Sequence, residues 1–262
     1  MKLPLPKLCF FDMEGTLLTK NHELDNGKVA PSAWTALAKA ISEECYLEEE
    51  ASKDKWLNKE YNSYTEWMFD SIVIQKKHGL TKDIFNHVIK SATITDGAAT
   101  LVNYFHANNV ITVIISGGFK QLADKVQRKL KIRHSYSACE YFFNLDGSLD
   151  HFNLMPTDEI GKLVFMKHLA EEYKIPMSDC LFIGDGKNDV HLAQEVGFSI
   201  AFNAQEELNA VATLKIDQKK GSEDLSKINN YPNYEFARKI FIDYLELFFY
   251  LCKKKKNKII YI

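Results

Sequence analysis

Two acidic residues and a glycine directly follow a short apolar segment near the start of the chain. The stretch FFDMEGTLL, residues 10–18, places Asp12 and Glu14 one residue apart just after the apolar run Leu8–Phe11. Such a run predicts a buried strand, and a buried strand gains nothing in packing by ending in two carboxylates. We therefore treat Asp12 and Glu14 as candidates for a nucleophile and its proton-transfer partner.

Polar residues also follow two later apolar segments. The segment VIISGGF ends in Ser116, Gly117 and Gly118, and LFIGDGKND carries Asp185, Asn188 and Asp189. In open α/β sheets, ligands bind outside the carboxyl ends of the parallel strands. Such a sheet would bring the three groups of residues together although they lie far apart in the sequence.

The chemistry of these residues suits phosphoryl transfer. Neighbouring carboxylates repel one another and are costly to desolvate unless a cation joins them. Oxygen ligands suit Mg²⁺, which usually takes one or two carboxylates together with a substrate phosphate. Ser116 and its neighbouring glycine amides, at the start of a predicted helix, could hold the phosphate, and Lys162 could balance its charge. The set predicts a site in which a carboxylate serves as the nucleophile.

The remaining sequence alternates between segments typical of strands and of helices. Four further strands are predicted at residues 110–116, 180–184, 198–202 and, more weakly, 214–216. Helical segments separate them, at residues 96–109, 117–132, 158–175 and 189–196. The stretch CEYFFNLDGSLDHF predicts a hairpin that turns at Asp146-Gly147. This order predicts an α/β fold with a doubly wound parallel sheet.

A polar, helix-rich stretch separates the first strand from the rest of the sheet. We predict that residues 21–92 form an inserted α-helical cap, and that residues 1–20 and 93–262 form the α/β core. Within the cap, Gly79 marks the end of one helix and Thr81 begins the next. We expect the cap aromatics to pack its helices, although one of them could line a substrate pocket: Trp56, Tyr61, Tyr64 and Trp67.

The composition limits the class of protein. The chain has 262 residues, 46% of them hydrophobic, and can bury a sizeable core, while its net charge of −2 argues against a nucleic-acid partner. Its five cysteines are scattered without metal-ligand spacing, which indicates reduced thiols. No signal peptide and no bilayer-length apolar stretch is present, so we expect a soluble, cytoplasmic protein. Nothing in the sequence specifies the oligomeric state.

The C-terminal region combines the apolar segment Ile240–Cys252 with the basic run KKKKNK. A hydrophobic helix beside a basic run could lie on an anionic membrane surface. However, Asp243 and Glu246 interrupt its apolar face, and no lipidation motif follows. We therefore favour a final helix docked on the core, with a solvated basic tail, over contact with a membrane surface.

Taken together, the motifs resemble those of the haloacid dehalogenase-like (HAD-like) hydrolases. FFDMEGTLL, VIISGGF, Lys162 and LFIGDGKNDV match the four ordered motifs of that superfamily, and ISGGF, GDGKND and GFSIAFNA are most similar to its phosphoserine phosphatase branch. The resemblance covers about residues 7–18 and 92–224. It implies a Rossmann-like core, a Mg²⁺ cofactor, and hydrolysis of a small phosphorylated metabolite through an aspartyl-phosphate.

The resemblance implies roles for the acidic residues. Asp12 attacks the phosphorus, and Glu14 protonates the leaving oxygen and then activates water. The Asp12 carboxylate, the Glu14 backbone carbonyl and the Asp185 carboxylate hold Mg²⁺, while Asp189 orients metal-bound water. Thr16 acts near the nucleophile through its hydroxyl and backbone.

The resemblance also implies a phosphate-binding set. Ser116, the Gly117 amide and Lys162 hold the phosphoryl oxygens, and Asn188 reaches the substrate or the phosphate. Lys167 lies five residues beyond Lys162 and would occupy a different face of the same helix. The family's lysine opens this helix, which favours Lys162.

The cap departs from the phosphoserine phosphatase pattern. Those enzymes pair an acid shortly after the first motif with an arginine in the cap, to bind the ammonium and the carboxylate of the amino acid. Glu23 and Asp25 are candidate acids, but residues 21–92 contain no arginine. The lysines present lack the bidentate fork that suits a carboxylate: Lys53, Lys55 and Lys59. The leaving group is therefore left open.

Three functions follow from these observations. The leading hypothesis is a Mg²⁺-dependent, phosphoserine phosphatase-like phosphomonoesterase. A phosphotransferase would pass the phosphoryl group from Asp12 to a small hydroxyl acceptor. A catalytically impaired phospholigand-binding protein would follow if Glu14, which stands where the family has aspartate, cannot support hydrolysis.

Overall fold

The computed structural model describes residues 5–22, 24, 27–219 and 221–230. Nine strands are assigned within these ranges: β1 (Leu8–Phe11), β2 (Leu18–Thr19), β3 (Thr93–Ile94), β4 (Ile111–Phe119), β5 (His134–Phe143), β6 (Leu149–Leu154), β7 (Cys180–Gly184), β8 (Phe198–Phe202) and β9 (Leu214–Ile216). The α-helices described are α1 (Ala33–Ile41), α2 (Glu43–Leu57), α3 (Tyr64–Lys77), α4 (Lys82–Ser91), α5 (Ala98–Ala107), α6 (Lys120–Leu130), α7 (Ile160–Glu172), α8 (Val190–Glu195) and α9 (Glu206–Asn209).

Seven of the strands form one sheet in the order β6-β5-β4-β1-β7-β8-β9. All neighbouring strands pair in parallel except β5 and β6, which form the predicted antiparallel hairpin. Side chains of β1 alternate between the two faces: Cys9 and Phe11 pack in one apolar cluster, and Leu8 and Phe10 in another. Both faces of the central strand are therefore buried, as in a doubly wound sheet. The predicted α/β fold class is confirmed.

The helix predicted to begin at Gly117 begins three residues later. Strand β4 continues through Ser116 and both glycines to Phe119, which pairs with Cys139 of β5 after a shift in register. A Cβ atom at Gly117 would collide with the Asp158 carboxylate, and one at Gly118 would collide with Glu14 Oε1, so the two glycines let these carboxylates approach the end of the strand. The segment predicted as the start of a helix is thus the end of a strand.

Four helices, α1 to α4, lie between β2 and β3, and we call them the cap helices, or the cap. Strands β2 and β3 pair antiparallel, with Leu18 opposite Ile94. The segment that contains the four helices therefore begins and ends at two adjacent strands. Each helix begins at a serine or threonine whose side chain accepts a backbone N–H bond: Ser32, Ser42, Ser63 and Thr81. The prediction that Thr81 begins a helix as its N-cap residue is confirmed.

Some sequence-based predictions fall outside the described residues. These are the candidate acids Glu23 and Asp25, and the apolar segment at residues 240–252 with the basic run that follows it. In the part of the chain that the structure describes, no helix has both the length and the apolar character required to cross a bilayer.

Candidate active site

Parallel pairing of β1 and β7 brings the acidic residues that follow these two strands to the same edge of the sheet. Phe11 of β1 lies opposite Ile183 of β7, and the Asp12 amide donates to the Ile183 carbonyl at 2.9 Å. Asp12 and Asp185 follow these two adjacent strands directly. On the other side of β1, β4 carries Ser116 to the same edge.

The carboxylates of Asp12, Asp185 and Asp189 form a buried cluster, with one oxygen of each within 4.8 Å of the others. Burial raises the pKa of Asp185 to about 6, although Lys20 acts in the opposite direction. Burial likewise raises the pKa of Asp189 to about 7, against the effect of Lys162. Removal from water thus disfavours the charged forms of both carboxyl groups.

Lys162 lies within this cluster. Its side chain is fully buried, and its ammonium lies 2.6 Å from Asp12 Oδ1 and 2.8 Å from Asp189 Oδ1. Burial alone lowers the pKa of Lys162, but the charges of Asp12 and Asp189 raise it well above its ordinary value. Lys167 lies instead at the surface and pairs with Glu195 at 2.8 Å. The two lysines occupy different faces of α7, as predicted.

The Glu14 carboxylate lies between the acid cluster and the first cap helix. Its Oε2 accepts a 2.5 Å hydrogen bond from the Ala33 amide in the first turn of α1. Burial raises the pKa of Glu14 to about 7, although the Ala33 amide lowers it in part. The carboxyl group can therefore take or release a proton near neutral pH.

The backbone after Glu14 turns sharply and passes close to the cluster. Gly15 has φ +94°, and a Cβ atom there would collide with the Asp185 carboxylate. Thr16 is buried, and its hydroxyl has no hydrogen-bond partner in the described part of the chain. Its carbonyl accepts from the Thr95 hydroxyl at 2.7 Å, which ties the turn to the residue after β3.

Ser116 is buried at the irregular end of β4. Its Oγ accepts from the Gly118 amide at 3.0 Å, so the hydroxyl hydrogen can still be donated to a ligand. The Gly117 carbonyl accepts two bonds from the cap, from Trp34 Nε1 at 3.1 Å and from the Tyr64 hydroxyl at 3.3 Å. The predicted phosphate loop is thereby held by helices α1 and α3.

Two charged residues of the site were not identified from the sequence. Lys20 pairs with Asp185 at 2.5 Å, and Asp158 accepts a 2.5 Å bond from the Asn188 side chain. Asp158 lies just before α7, and an aspartate is common at the start of a helix. Its type and position therefore gave no sign that it belongs to the site. Lys20 had no signal in the local sequence, because its position depends on the short strand β2 that turns the chain back towards the cluster.

A cavity of about 290 Å³ lies between this edge of the sheet and the cap helices. Its floor includes Asp12, Glu14 and Ser116, and its cap side includes four aromatic residues: Trp34, Trp56, Tyr64 and Trp67. Three of the aromatic residues assigned to cap packing therefore also line the cavity, whereas Tyr61 bonds to Asp70 instead. The cavity is large enough for a small substrate and opens onto the acid cluster.

The donor set suits a hard divalent cation. Asp12, Asp185 and Asp189 offer carboxylate oxygens, and the charge of a cation would relieve their mutual repulsion. Among the residues that the structure describes, no histidine or cysteine contributes to this cluster, which favours Mg²⁺ over softer metals.

Comparison with known proteins places the chain in a family. The family sequence model of the haloacid dehalogenase-like hydrolases matches residues 6–197, which include every residue of the site described above. The chain is a haloacid dehalogenase-like hydrolase. The family resemblance of the four sequence motifs is thereby confirmed.

Curated relatives of this HAD-like hydrolase include phosphoserine phosphatases. The protein of Lactococcus lactis is 31% identical over 147 residues, which cover 54% of this chain and 65% of the relative. That of Mycobacterium tuberculosis is 28% identical over 135 residues, which cover 51% of this chain and 32% of the relative. The chain thus matches less than two thirds of these two relatives. The match to the Methanocaldococcus jannaschii protein is longer, with 25% identity over 86% of this chain and 97% of the relative.

Solved structures share the fold. A phospho-aspartyl intermediate analogue of phosphoserine phosphatase superposes with a TM-score of 0.65 at 20% identity, covering 87% of this chain and 99% of that one. A substrate-bound phosphoserine phosphatase complex also gives a TM-score of 0.65, at 21% identity over 86% of this chain and 98% of that chain. These solved structures therefore share the fold over most of this chain.

Proposed function

We propose that this HAD-like hydrolase is a Mg²⁺-dependent phosphomonoesterase that acts on a small phosphorylated metabolite. The observation that carries the proposal is the position of Asp12, 2.6 Å from the buried Lys162 ammonium and next to Asp185 and Asp189, at the floor of the cavity. The phosphoserine phosphatase names of the curated relatives support the same reaction class.

Asp12 would act as the nucleophile. Its Oδ1 accepts a hydrogen bond from the Lys162 ammonium, and Oδ2 takes no part in that bond. Attack of an Asp12 oxygen on phosphorus forms one P–O bond while the ester P–O bond breaks, giving an aspartyl-phosphate and an alcohol. Attack of water on the same phosphorus then releases phosphate and restores the Asp12 carboxylate.

Glu14 would move the proton in both steps. In its protonated form it gives the proton to the leaving oxygen as the ester bond breaks. The resulting carboxylate takes a proton from the attacking water in the second step. A pKa of about 7, raised by burial, lets the same group serve in both directions near neutral pH.

Asp12, Asp185 and Asp189 would hold the metal, together with the Glu14 backbone carbonyl. When bound, Mg²⁺ supplies positive charge to the phosphoryl oxygens and offsets repulsion between the phosphate and the carboxylates. Ser116, with its hydroxyl hydrogen free to donate, the Gly117 amide and Lys162 would hold the remaining phosphoryl oxygens. Asn188 is held by Asp158 beside this position.

The domain division and the location of the protein also remain proposals. We propose that residues 21–92 form the cap that selects the leaving group, with the core in residues 1–20 and 93–262. We further propose a cytoplasmic location, supported by four described cysteines that are all free and buried.

Hydrolysis of p-nitrophenyl phosphate tests the proposal. We expect Mg²⁺-dependent turnover by the full chain, loss of turnover with a chelator, and loss of at least about 10³-fold in Asp12→Asn. The matched control is Asp124→Asn, which alters an aspartate of α6 that pairs with Lys120. Full activity of Asp12→Asn would contradict the proposal.

The same assay separates the two alternative functions. Faster consumption of substrate in the presence of a small alcohol, with a new phosphate ester among the products, would indicate a phosphotransferase. Phosphate binding without any turnover would indicate the impaired binding protein.

A further inference from the structure

The cavity carries an excess of negative charge. Seven carboxylate residues line it, against three lysines. Two of these lysines are already paired, Lys20 with Asp185 and Lys53 with Glu50. The third, Lys187, lies at the exposed end of the loop after β7. On the side of the cavity formed by α2, the lining carboxylates are Glu49 and Glu50, and the lining lysine, Lys53, is paired with Glu50. This side therefore favours a positively charged group.

Glu49 contributes a buried carboxylate to the cap side of this cavity. Its side chain is in α2, and the residue is only 8% exposed. Ser71 donates to one of its oxygens at 3.1 Å, and Gln75 donates to the other at 2.8 Å. Among the described residues, no lysine, arginine or histidine forms an ion pair with it. A buried carboxylate held only by neutral donors would gain strongly from a cationic ligand.

Three aromatic rings accompany Glu49 along the cap side. Trp56 and Trp67 are stacked, with ring centroids 5.3 Å apart and an interplanar angle of 9°. Tyr64 stands edge-on to both, at 5.8 Å from Trp56 and 5.6 Å from Trp67. The faces of such rings attract ammonium groups, and indole attracts them best.

The same surface is unsuited to a leaving group that bears a carboxylate. Residues 21–92 contain no arginine, and Lys53, the cap lysine that lines the cavity, is paired with Glu50. A substrate carboxylate on the cap side of the cavity would be repelled by Glu49 and would find no guanidinium group to bind it through two hydrogen bonds.

We propose that the leaving group is a small amino alcohol with a cationic nitrogen, bound between the Trp56, Tyr64 and Trp67 rings and the Glu49 carboxylate. The inference rests on the proposed phosphomonoesterase function and assigns its substrate class. The phosphate binds at the acid cluster, and the ammonium lies at the cap side of the same cavity.

A neutral isostere provides the sharpest test. Phosphocholine and 3,3-dimethylbutyl phosphate have the same shape and differ only in the replacement of the cationic nitrogen by carbon. We expect kcat/KM for phosphocholine to exceed that for the isostere at least about tenfold, with phosphoethanolamine also above the isostere. Equal values for phosphocholine and the isostere would overturn the inference. So would a higher kcat/KM for O-phosphoserine than for phosphocholine.

Variants locate the binding site of the ammonium. In Glu49→Gln we expect the ratio of the two kcat/KM values to fall to about threefold or less, because the carboxylate charge is lost while the side-chain shape remains. Glu44→Gln, which alters an exposed acid of the same helix, should keep the ratio of the unaltered protein. An unchanged ratio in Glu49→Gln would contradict the assignment of Glu49.

A binding measurement separates this inference from the proposed function. Absence of p-nitrophenyl phosphate hydrolysis with Mg²⁺ would refute the phosphomonoesterase. The substrate class can still be measured on Asp12→Asn by quenching of tryptophan fluorescence, since all three tryptophans line the cavity. Tighter binding of phosphocholine than of the isostere supports the inference, and equal dissociation constants overturn it.

Discussion

Glu49→Gln should stabilise the protein in a way that depends on pH. Burial raises the pKa of the Glu49 carboxyl from its ordinary value of 4.5 to about 7, although hydrogen bonds from Gln75 and Ser71 act in the opposite direction. Between these two values the folded state holds a proton that the unfolded state releases. The free energy of unfolding therefore falls as the pH rises through this window.

The size of the effect follows from the two pKa values. The rise from 4.5 to about 7 corresponds to about 3 kcal/mol for a group that is 8% exposed. Gln75 is oriented by Tyr141, whose hydroxyl donates to its Oε1 at 2.7 Å, so its amide must donate towards residue 49. A glutamine there can accept from Gln75 and donate to the Ser71 hydroxyl, which also accepts. The variant thus keeps the contacts and loses the cost of the buried charge.

Urea unfolding of the full chain at a series of pH values measures this effect. The three tryptophans lie in α1, α2 and α3, so their fluorescence reports directly on the region of Glu49. We expect the stability of Glu49→Gln relative to the unaltered protein to increase by about 2 to 3 kcal/mol between pH 5 and pH 8.

Glu44→Gln is the matched control for this measurement. Glu44 is an exposed acid in the first turn of the same helix, and hydrogen bonds from its own amide and from Ser42 lower its pKa. Its substitution should therefore give a difference that is constant above pH 5. A difference for Glu49→Gln that is equally independent of pH would refute the reasoning.

Three further substitutions test the active site. Lys162→Ala should reduce p-nitrophenyl phosphate turnover at least about 100-fold, because it leaves Asp12 without its buried cation. Lys167→Ala should change turnover less than about twofold. A larger loss in Lys167→Ala would refute the assignment of Lys162 to the active site. Glu14→Asp should lower turnover, because the shorter side chain retracts from the Ala33 amide and from the cavity; a marked gain would mean that the glutamate is a handicap. Gly15→Ala should weaken Mg²⁺ binding in calorimetry, because its Cβ would displace the Asp185 carboxylate; an unchanged affinity would show that the turn can adapt.

The sequence was most informative where strands end in polar residues. Asp12 and Asp185 could be brought together from the sequence because adjacent parallel strands place their carboxyl ends at one edge of the sheet. Helical geometry placed Lys162 and Lys167 on different faces, and the resemblance to the HAD-like hydrolases, whose lysine opens this helix, favoured Lys162. A general rule of chain geometry was sufficient for the two aspartates, whereas the lysine also required the family resemblance.

The cap side of the site could not be derived in the same way. The positions of Lys20 and Glu49 depend on how short strands and four helices pack on the core, which no periodic pattern specifies. Glu49 belongs to a run of three acids, and only the packing of α2 against α3 distinguishes the buried member. The extension of β4 through Gly117 was missed for a related reason, since it depends on pairing with β5.

The Gly117–Gly118 peptide connects the cap to the phosphate loop through a single amide unit. Its carbonyl accepts from Trp34 and Tyr64, while its N–H donates to Ser116 Oγ. Hydrogen bonds to a carbonyl polarise the N–H of the same peptide and strengthen the bond that it donates. A Ser116 oxygen that accepts more strongly becomes a better donor to phosphate. We therefore expect the bonds from Trp34 and Tyr64 to this carbonyl to be thermodynamically linked to the affinity of Ser116 for a phosphoryl group, so that loss of these bonds weakens phosphate binding.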